Sequence, residues 1–385
     1  MMLLRRLFLP CVAGVLSACT AVGPDYVQPE SPLGPDWYKA EFERYDTDVE
    51  QQVHWWKTLG DPVLDNLIDL AHQQNNNLQI AGLRVLESRA QLGIATGSKY
   101  PQAQVVVGDA TAVQGSENAA NTAAGDLSYT QYNIGVGASW EIDFWGKFRR
   151  GIESADAAYL ASVAGYDQVM ILVTAQVCSA YLSVRTLEEQ IRITNDNIAI
   201  QQRSFDIVNV QFENGATSEL DVLQARTLLM ATRATLPALQ TQLYQARNAL
   251  ATLLGMPPSD MSDLLKGSSA IPAVPETVAV GLPADLLRRR PDVRQAEYLA
   301  MAQNAQVGVA EANLYPSFSL TGALGLSAAG NTDTTRTGNS GFSELFSSDS
   351  LTYSVGPSFV WPFLNYDRIK NNLRVQDARL QQSLI

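Results

Sequence analysis

The side chains equipped for chemistry in this sequence are few, and their spacing argues against a reaction. His54 and His72 are the only histidines, and 18 residues apart they lack the short spacing on which a zinc site is built. Ser340 lies among Gly338 and Gly341, but no strand feeds directly into a helix there, so the sharp turn that exposes a nucleophilic serine does not form. Arg288, Arg289 and Arg290 could hold a phosphate. No glycine-rich phosphate loop accompanies them, and facing the acids of their own helix start and of the adjoining linker is the role favoured here. Cys178 has no disulfide partner once Cys11 leaves with the leader, and reads as a small helix-packing residue. The expectation is a protein that is not an enzyme, with no metal and no cofactor.

Cys19 is different, because its setting calls for covalent modification. Arg5 and Arg6 form a short basic region, Leu7 to Leu16 an apolar run too short to span a bilayer, and Leu16-Ser17-Ala18 then lead into Cys19. Small residues directly before a cysteine are the lipobox pattern of bacterial lipoproteins. The pattern implies cleavage after residue 18 and a lipid anchor on Cys19. Thr20, in place of an aspartate, favours the outer membrane in similar lipoproteins.

The chain carries 27 basic against 39 acidic residues, a net charge of −12 that becomes more negative when Arg5 and Arg6 are removed. Nucleic acid is therefore not an expected partner. With 385 residues and 46% hydrophobic content there is room for more than one domain. Beyond the leader no uninterrupted run of 18 apolar residues occurs, so any membrane crossing falls to strands.

The element that organises the rest runs from about Phe144 to Phe212. Val163, Met170, Val177, Val184, Ile191, Ile198, Phe205 and Phe212 recur every seventh residue, a second track from Ile152 to Val208 interleaves, and no proline intervenes. A helix of that length is about 100 Å long, a rod that needs a coiled-coil assembly. By itself this stretch fits a dimeric coiled coil equally well. A shorter helix precedes it, capped by Asp61 with Pro62 in its first turn and ending near Gly97. Two stretches of period 2 follow. In the clearer one Tyr132, Ile134, Val136, Ala138 and Trp140 share one face, and small or polar residues the other. After the rod Asn214 and Gly215 break the helix, and Ser218 with Asp221 caps a new one containing Pro237 and ending near Leu254.

From Gly281 the pattern begins again. At a shift of 215, Gly308, Tyr315 and Pro316 fall on Gly93, Tyr100 and Pro101; at 221, Tyr353, Gly356 and Trp361 fall on Tyr132, Gly135 and Trp140. A helix end, a strand face and a helix start matching in one order indicate a duplication. The domain plan is thus a leader at 1–18, a lipidated extended tether at 19–60, a first repeat at 61–254, a proline-rich linker at 255–280 and a second repeat at 281–385 that ends inside its long helix. Four strands cannot close a barrel, for which about eight are needed, so subunits must pool them.

Several motifs carry a resemblance: Cys19 followed by Gly23-Pro24-Asp25-Tyr26, the pair Trp55-Trp56, the run from Ser218 to Gln224, and the run from Gly281 to Asp292 with Leu286, Arg290, Pro291 and Asp292. In these the chain resembles the TolC-like outer membrane factors, and among them the NodT-type efflux lipoproteins. The resemblance implies an α+β membrane protein: a long coiled-coil α-helical barrel plus four amphipathic strands contributed to a trimeric twelve-stranded outer-membrane barrel. It also implies an exit duct of a tripartite efflux system, lipid-anchored on the periplasmic side. A periplasmic adaptor and an inner-membrane pump would be partners, docking at a tip made by Gly215, Ala216, Thr217, Ser218, Leu220 and Asp221. Asp221 and Arg226, near that tip, are candidate gate residues through ion-pair constraints.

The alternatives are a periplasmic spacer lipoprotein that forms no pore, a truncated non-conducting channel and a type I secretion duct. The strands argue against the spacer, which has no use for aromatic-ended strands of membrane length. The pump's adaptor does not show this duplicated order. By the repeat, a second rod begins near Asn365 and would run to about residue 433, so the expectation is a fragment or a truncated gene.

Overall fold

A computed structural model describes residues 21–29, 45–46, 54–116, 118, 127–259, 261–267, 270–273, 278–279, 289–331 and 341–385. Cys19, Leu286, Gly338 and Ser340 lie outside the described residues, as do most of the loop after Gln114 and parts of the linker.

The first helix, α1 (Pro62–Gln74), begins where Asp61 Oδ1 accepts the amides of Val63 and Leu64 at 2.9 and 3.4 Å. The seven-residue track predicts one helix to Gly97, but the chain breaks at Asn75 and resumes as α2 (Asn76–Gly97). Asn75 adopts an extended backbone, its Oδ1 accepts the Leu78 amide at 3.0 Å, and its Nδ2 donates to the Leu253 carbonyl at 2.7 Å. A short polar side chain that competes with the backbone in this way ends one helix and caps the next.

Strands β1 (Ala103–Gln114) and β2 (Ser128–Ile142) follow, then α3 (Lys147–Glu213), α4 (Glu219–Leu253), α5 (Pro291–Ala312), β3 (Ser317–Asn331), β4 (Leu351–Val360) and α6 (Tyr366–Leu384). Helix, strand, strand, helix thus occurs twice. The four strands form one antiparallel sheet in the order β1-β2-β3-β4. Asp143 starts α3, accepting the amides of Phe148 and Arg149 on its two oxygens at 3.0 Å each. One 18-residue window of α3 is apolar enough, by length and composition, to cross a membrane. Of that window 39% is buried, while Ile171 and Leu172 of the same helix are each 51% exposed.

The chain divides into two compact units. One comprises residues 1–29, 87–161 and 296–385 and contains the sheet with the helix ends that feed it. The other comprises 30–86 and 162–295 and holds an apolar core in which Leu64, Leu67 and Ile68 of α1 meet Val177, Tyr181 and Val184 of α3 and Leu250 of α4. Cys178 sits in this core, where burial pushes its thiol up to about 11. One polar network there is fully bonded, while the buried Trp56 indole N–H has no partner among the described residues. Tyr181 Oη donates to Asp61 Oδ2 at 2.5 Å, and Arg185 donates to Tyr181 Oη, Glu188 and the Leu265 carbonyl.

Candidate functional site

The sheet presents two unlike faces. Paired residues lie on the same face, so the register gives rungs directly. Val106, Val136, Leu324 and Tyr353 form one rung, and Ile142, Phe318 and Phe359 another. On the other face Val107, Gly135, Gly325 and Thr352 form a rung, as do Val105, Gly137, Ala323 and Ser354. Apart from Tyr132, against which Phe342 packs edge-on, the apolar face is open: Val136 and Leu324 are each 52% exposed and Tyr353 79%. A sheet stable in water buries such a face; one bounded by lipid presents it. At 12, 15, 15 and 10 residues the strands have the length a bilayer core requires. β1 and β4 are each paired on one side only, leaving two open rows of backbone groups.

Indoles tie the strand ends to the helix turns. Trp140 Nε1 donates to the Lys99 carbonyl and Trp361 Nε1 to that of Leu314, both at 3.2 Å, the same bond in each repeat. Trp145 stacks on Tyr315 with ring centroids 4.5 Å apart and donates to the Pro316 carbonyl at 2.8 Å. Tyr and Trp at this level make the aromatic girdle of a membrane barrel.

Beside this junction the N-terminal segment is held in place. Arg150, its side chain only 6% exposed, donates from Nε to the Val22 carbonyl at 3.1 Å and from Nη2 to the Gly23 carbonyl and Asp25 at 3.0 and 2.8 Å. Asn304 donates to the Pro24 carbonyl at 2.8 Å, and the Val22 amide to that of Trp145 at 3.0 Å. Gly23, at φ +91°, lies so close to Gly308 that a Cβ would fall 2.4 Å from the Gly308 Cα. Burial alone lowers the Arg150 pKa, but its bonds to Glu153 and Asp25 outweigh that and raise it. Residues 21–26 are therefore docked, where the sequence reads them as part of an extended tether and not a packed element.

At the far end of α3 the turn is closed by backbone and side chain together. Gly215, at φ +76°, follows the last helical residues, its amide donating to Phe212 and that of Ala216 to Gln211, which satisfies the free carbonyls. Asp221 Oδ2 then accepts from Thr217 Oγ1, the Ser218 amide and Ser218 Oγ at 2.6, 3.0 and 2.7 Å. The bond from Thr217, then those from Ser218, hold its carboxyl down at about 2. Leu220 stands 62% exposed beside it.

These features meet a known family. The outer membrane efflux protein family profile matches residues 67–256 and 282–384. The chain belongs to that family. Nodulation protein T of Rhizobium leguminosarum bv. trifolii is 31% identical over 362 residues, 92% of this chain and 72% of its own length. The probable outer membrane lipoprotein SilC of Salmonella typhimurium is 31% identical over 374 residues, 96% of this chain and 76% of its own. Among solved structures the outer-membrane channel OprN superposes with a TM-score of 0.84 at 31% identity, covering 94% of this chain and 78% of that one. This efflux protein is accordingly an outer-membrane efflux channel with an α+β channel fold.

Several of the residues expected to act in the efflux protein are in view. Within the chain no ion pair joins Asp221 to Arg226; Asp221 is committed to its cap, and Arg226 is exposed. Arg290 is spent on Asp292, with Nε and Nη2 reaching its two oxygens at 3.0 and 2.6 Å, directly after which Pro291 begins α5. His54 and His72 both pack edge-on against Trp56, and His72 Nε2 bonds Thr174 Oγ1 at 2.9 Å. Sequence reasoning passed over Arg150 and Asn304. For Arg150 the available signal was a charged side chain that lands on the buried side of its helix.

Proposed function

We propose that three copies of this chain close one twelve-stranded outer-membrane barrel, and that their long helices continue it as a duct into the periplasm. The observation that carries this is the four-stranded sheet with an open apolar face and two unpaired edges. The β4 edge of one copy pairs with the β1 edge of the next, which removes both edges and turns the apolar face to lipid. Cys19 carries the lipid anchor. Ala21 is two residues away, at most about 7 Å of extended chain, so the docked segment keeps the anchor at the girdle. SilC is named a lipoprotein, in keeping with this.

The duct is a passive conduit for drugs or other small toxic solutes, with energy supplied by an inner-membrane pump. A periplasmic adaptor docks on Gly215, Ala216, Thr217, Ser218, Leu220 and Asp221, where Leu220 offers an apolar contact on a rigid, capped turn. Asp221 and Arg226 constrain a closed tip only through a neighbouring copy, because Asp221 is already used by its own helix. Arg290, Pro291 and Asp292 set the start of α5 and take no part in transport; Leu286 lies outside the described residues.

Outer membranes extracted in mild detergent test the assembly. The expected result is a trimer that migrates intact in unheated gels and falls to a monomer on boiling. A species that is monomeric before heating refutes it.

A further inference from the structure

The geometry points to Asp109 as the residue that sets charge selectivity in the membrane-spanning part of the duct, one carboxylate from each of three copies forming a ring that favours cations. This rests on the trimeric barrel proposed above. The four strands contain only two charged residues, Asp109 and Glu141. Both lie on the small, polar face, the one a closed barrel turns to its lumen. Glu141 is paired with Lys147 at 3.3 Å at the helix junction. Asp109 meets no cation among the described residues; it accepts instead from Asn133 Nδ2 at 3.1 Å and Thr111 Oγ1 at 3.2 Å. Ser327 Oγ and Gln131 Nε2 donate to Asn133 Oδ1 at 2.8 and 3.3 Å, which fixes the amide with its NH2 toward the carboxylate.

The neighbouring rungs leave this charge unopposed. On the lumen face beneath Asp109 come Val107 with Gly135, Gly325 and Thr352, then Val105 with Gly137, Ala323 and Ser354, all small and neutral. These side chains screen nothing, and they leave the bore wide enough for water. The Asp109 rung is therefore where the lumen of the barrel carries a fixed net charge. Neutral donors hold the carboxylate in place without neutralising it, which is what a selectivity ring needs.

The size of the effect follows from geometry. Twelve strands spaced about 4.8 Å and tilted about 40° give a barrel radius of roughly 12 Å. Three carboxylates then stand about 9 Å from the axis. In water at about 0.1 M salt their screened potential enriches a monovalent cation on the axis by about two- to threefold, and at about 1 M by almost nothing.

The test is the reversal potential of purified protein in planar bilayers under a KCl gradient, comparing wild type, Asp109→Asn and Asp109→Lys. Asn keeps the size and the hydrogen-bond acceptor, so folding is not at issue. Because the same potential that enriches the cation depletes the anion, the expected result is a cation to anion permeability ratio about four- to ninefold lower in Asp109→Asn, inverted in Asp109→Lys, with the wild-type difference vanishing at about 1 M salt. Conducting Asp109→Asn channels with the wild-type reversal potential overturn the ring alone. Wild-type protein that never conducts overturns the barrel reading, and the ring with it.

Discussion

Arg150→Ala should release the N-terminal segment while leaving the rest of the protein folded. Arg150 makes three bonds to that segment, to the carbonyls of Val22 and Gly23 and to Asp25. A hydrogen bond from a charged donor is worth about 1.5–3 kcal/mol when buried. The contribution of Asp25 is discounted, because its carboxylate is 90% exposed and screened by solvent. Glu153, on the same helix, holds Arg150 in position but does not touch the segment. Two carbonyl bonds with partial resolvation after loss give about 3–4 kcal/mol, or about a hundred- to thousandfold more of the open form at 1.4 kcal/mol per tenfold. The Val22 amide, which donates to Trp145, is the reporter. Hydrogen exchange of the peptide containing it should accelerate by that factor in detergent-solubilised Arg150→Ala, with protection in α3 beyond Ala161 unchanged. Asp25→Asn should change it less than about fivefold. Exchange at Val22 within about threefold of wild type in Arg150→Ala would refute the reasoning, and equal effects of the two variants would show that the ion pair and not the carbonyls holds the segment.

Two further outcomes follow from titratable groups. Burial, partly offset by Asp69, lowers the pKa of His72 below its ordinary 6.5, so the unfolded chain binds the proton more readily. Stability should be full above pH 6.5 and fall as pH drops through that value; His72→Gln, which can still bond Thr174, should flatten melting temperature against pH between about 7 and 5. At the tip the Asp221 carboxyl is depressed to about 2 from 3.8, so the cap is complete above pH 4 and is lost as pH falls toward 2. Asp221→Ala should fray the first turn of α4 at neutral pH, read as faster exchange of amides 219–222, and make that turn insensitive to acid.

Periodicity was legible in the sequence because it is a local property. A seven-residue apolar track specifies a long helix, alternation specifies a strand with one greasy face, and a side chain such as Asp61 or Ser218 caps a helix within its own turn. The two matching registers exposed the duplication, and the four strands with nothing to cover them called for other copies. The break at Asn75 was not legible, since the track Leu64, Ala71, Leu78 continues across it and the deciding bond is to a carbonyl 178 residues away. The same reason hid the N-terminal dock. Arg150 binds backbone carbonyls, which every residue possesses, so its partners leave no trace in side-chain pattern.

The duplicated halves make the division plain. Counterparts by sequence, Gly93 and Gly308 do different work: a Cβ on Gly93 would meet nothing within 4 Å, whereas Gly308 is pressed between Gly23 and Arg150. The position matching Arg150 in the second repeat is Asn371, which has no such role. Sequence alone determined the elements, their duplication and the family to which they belong. Tertiary structure decided which copy receives the N-terminal segment, that Asp221 is consumed by its own cap, and that Asp109 meets no counter-charge among the described residues. Those outcomes depend on which groups meet across long stretches of chain, where a carbonyl or an absent counter-charge matters as much as any side chain.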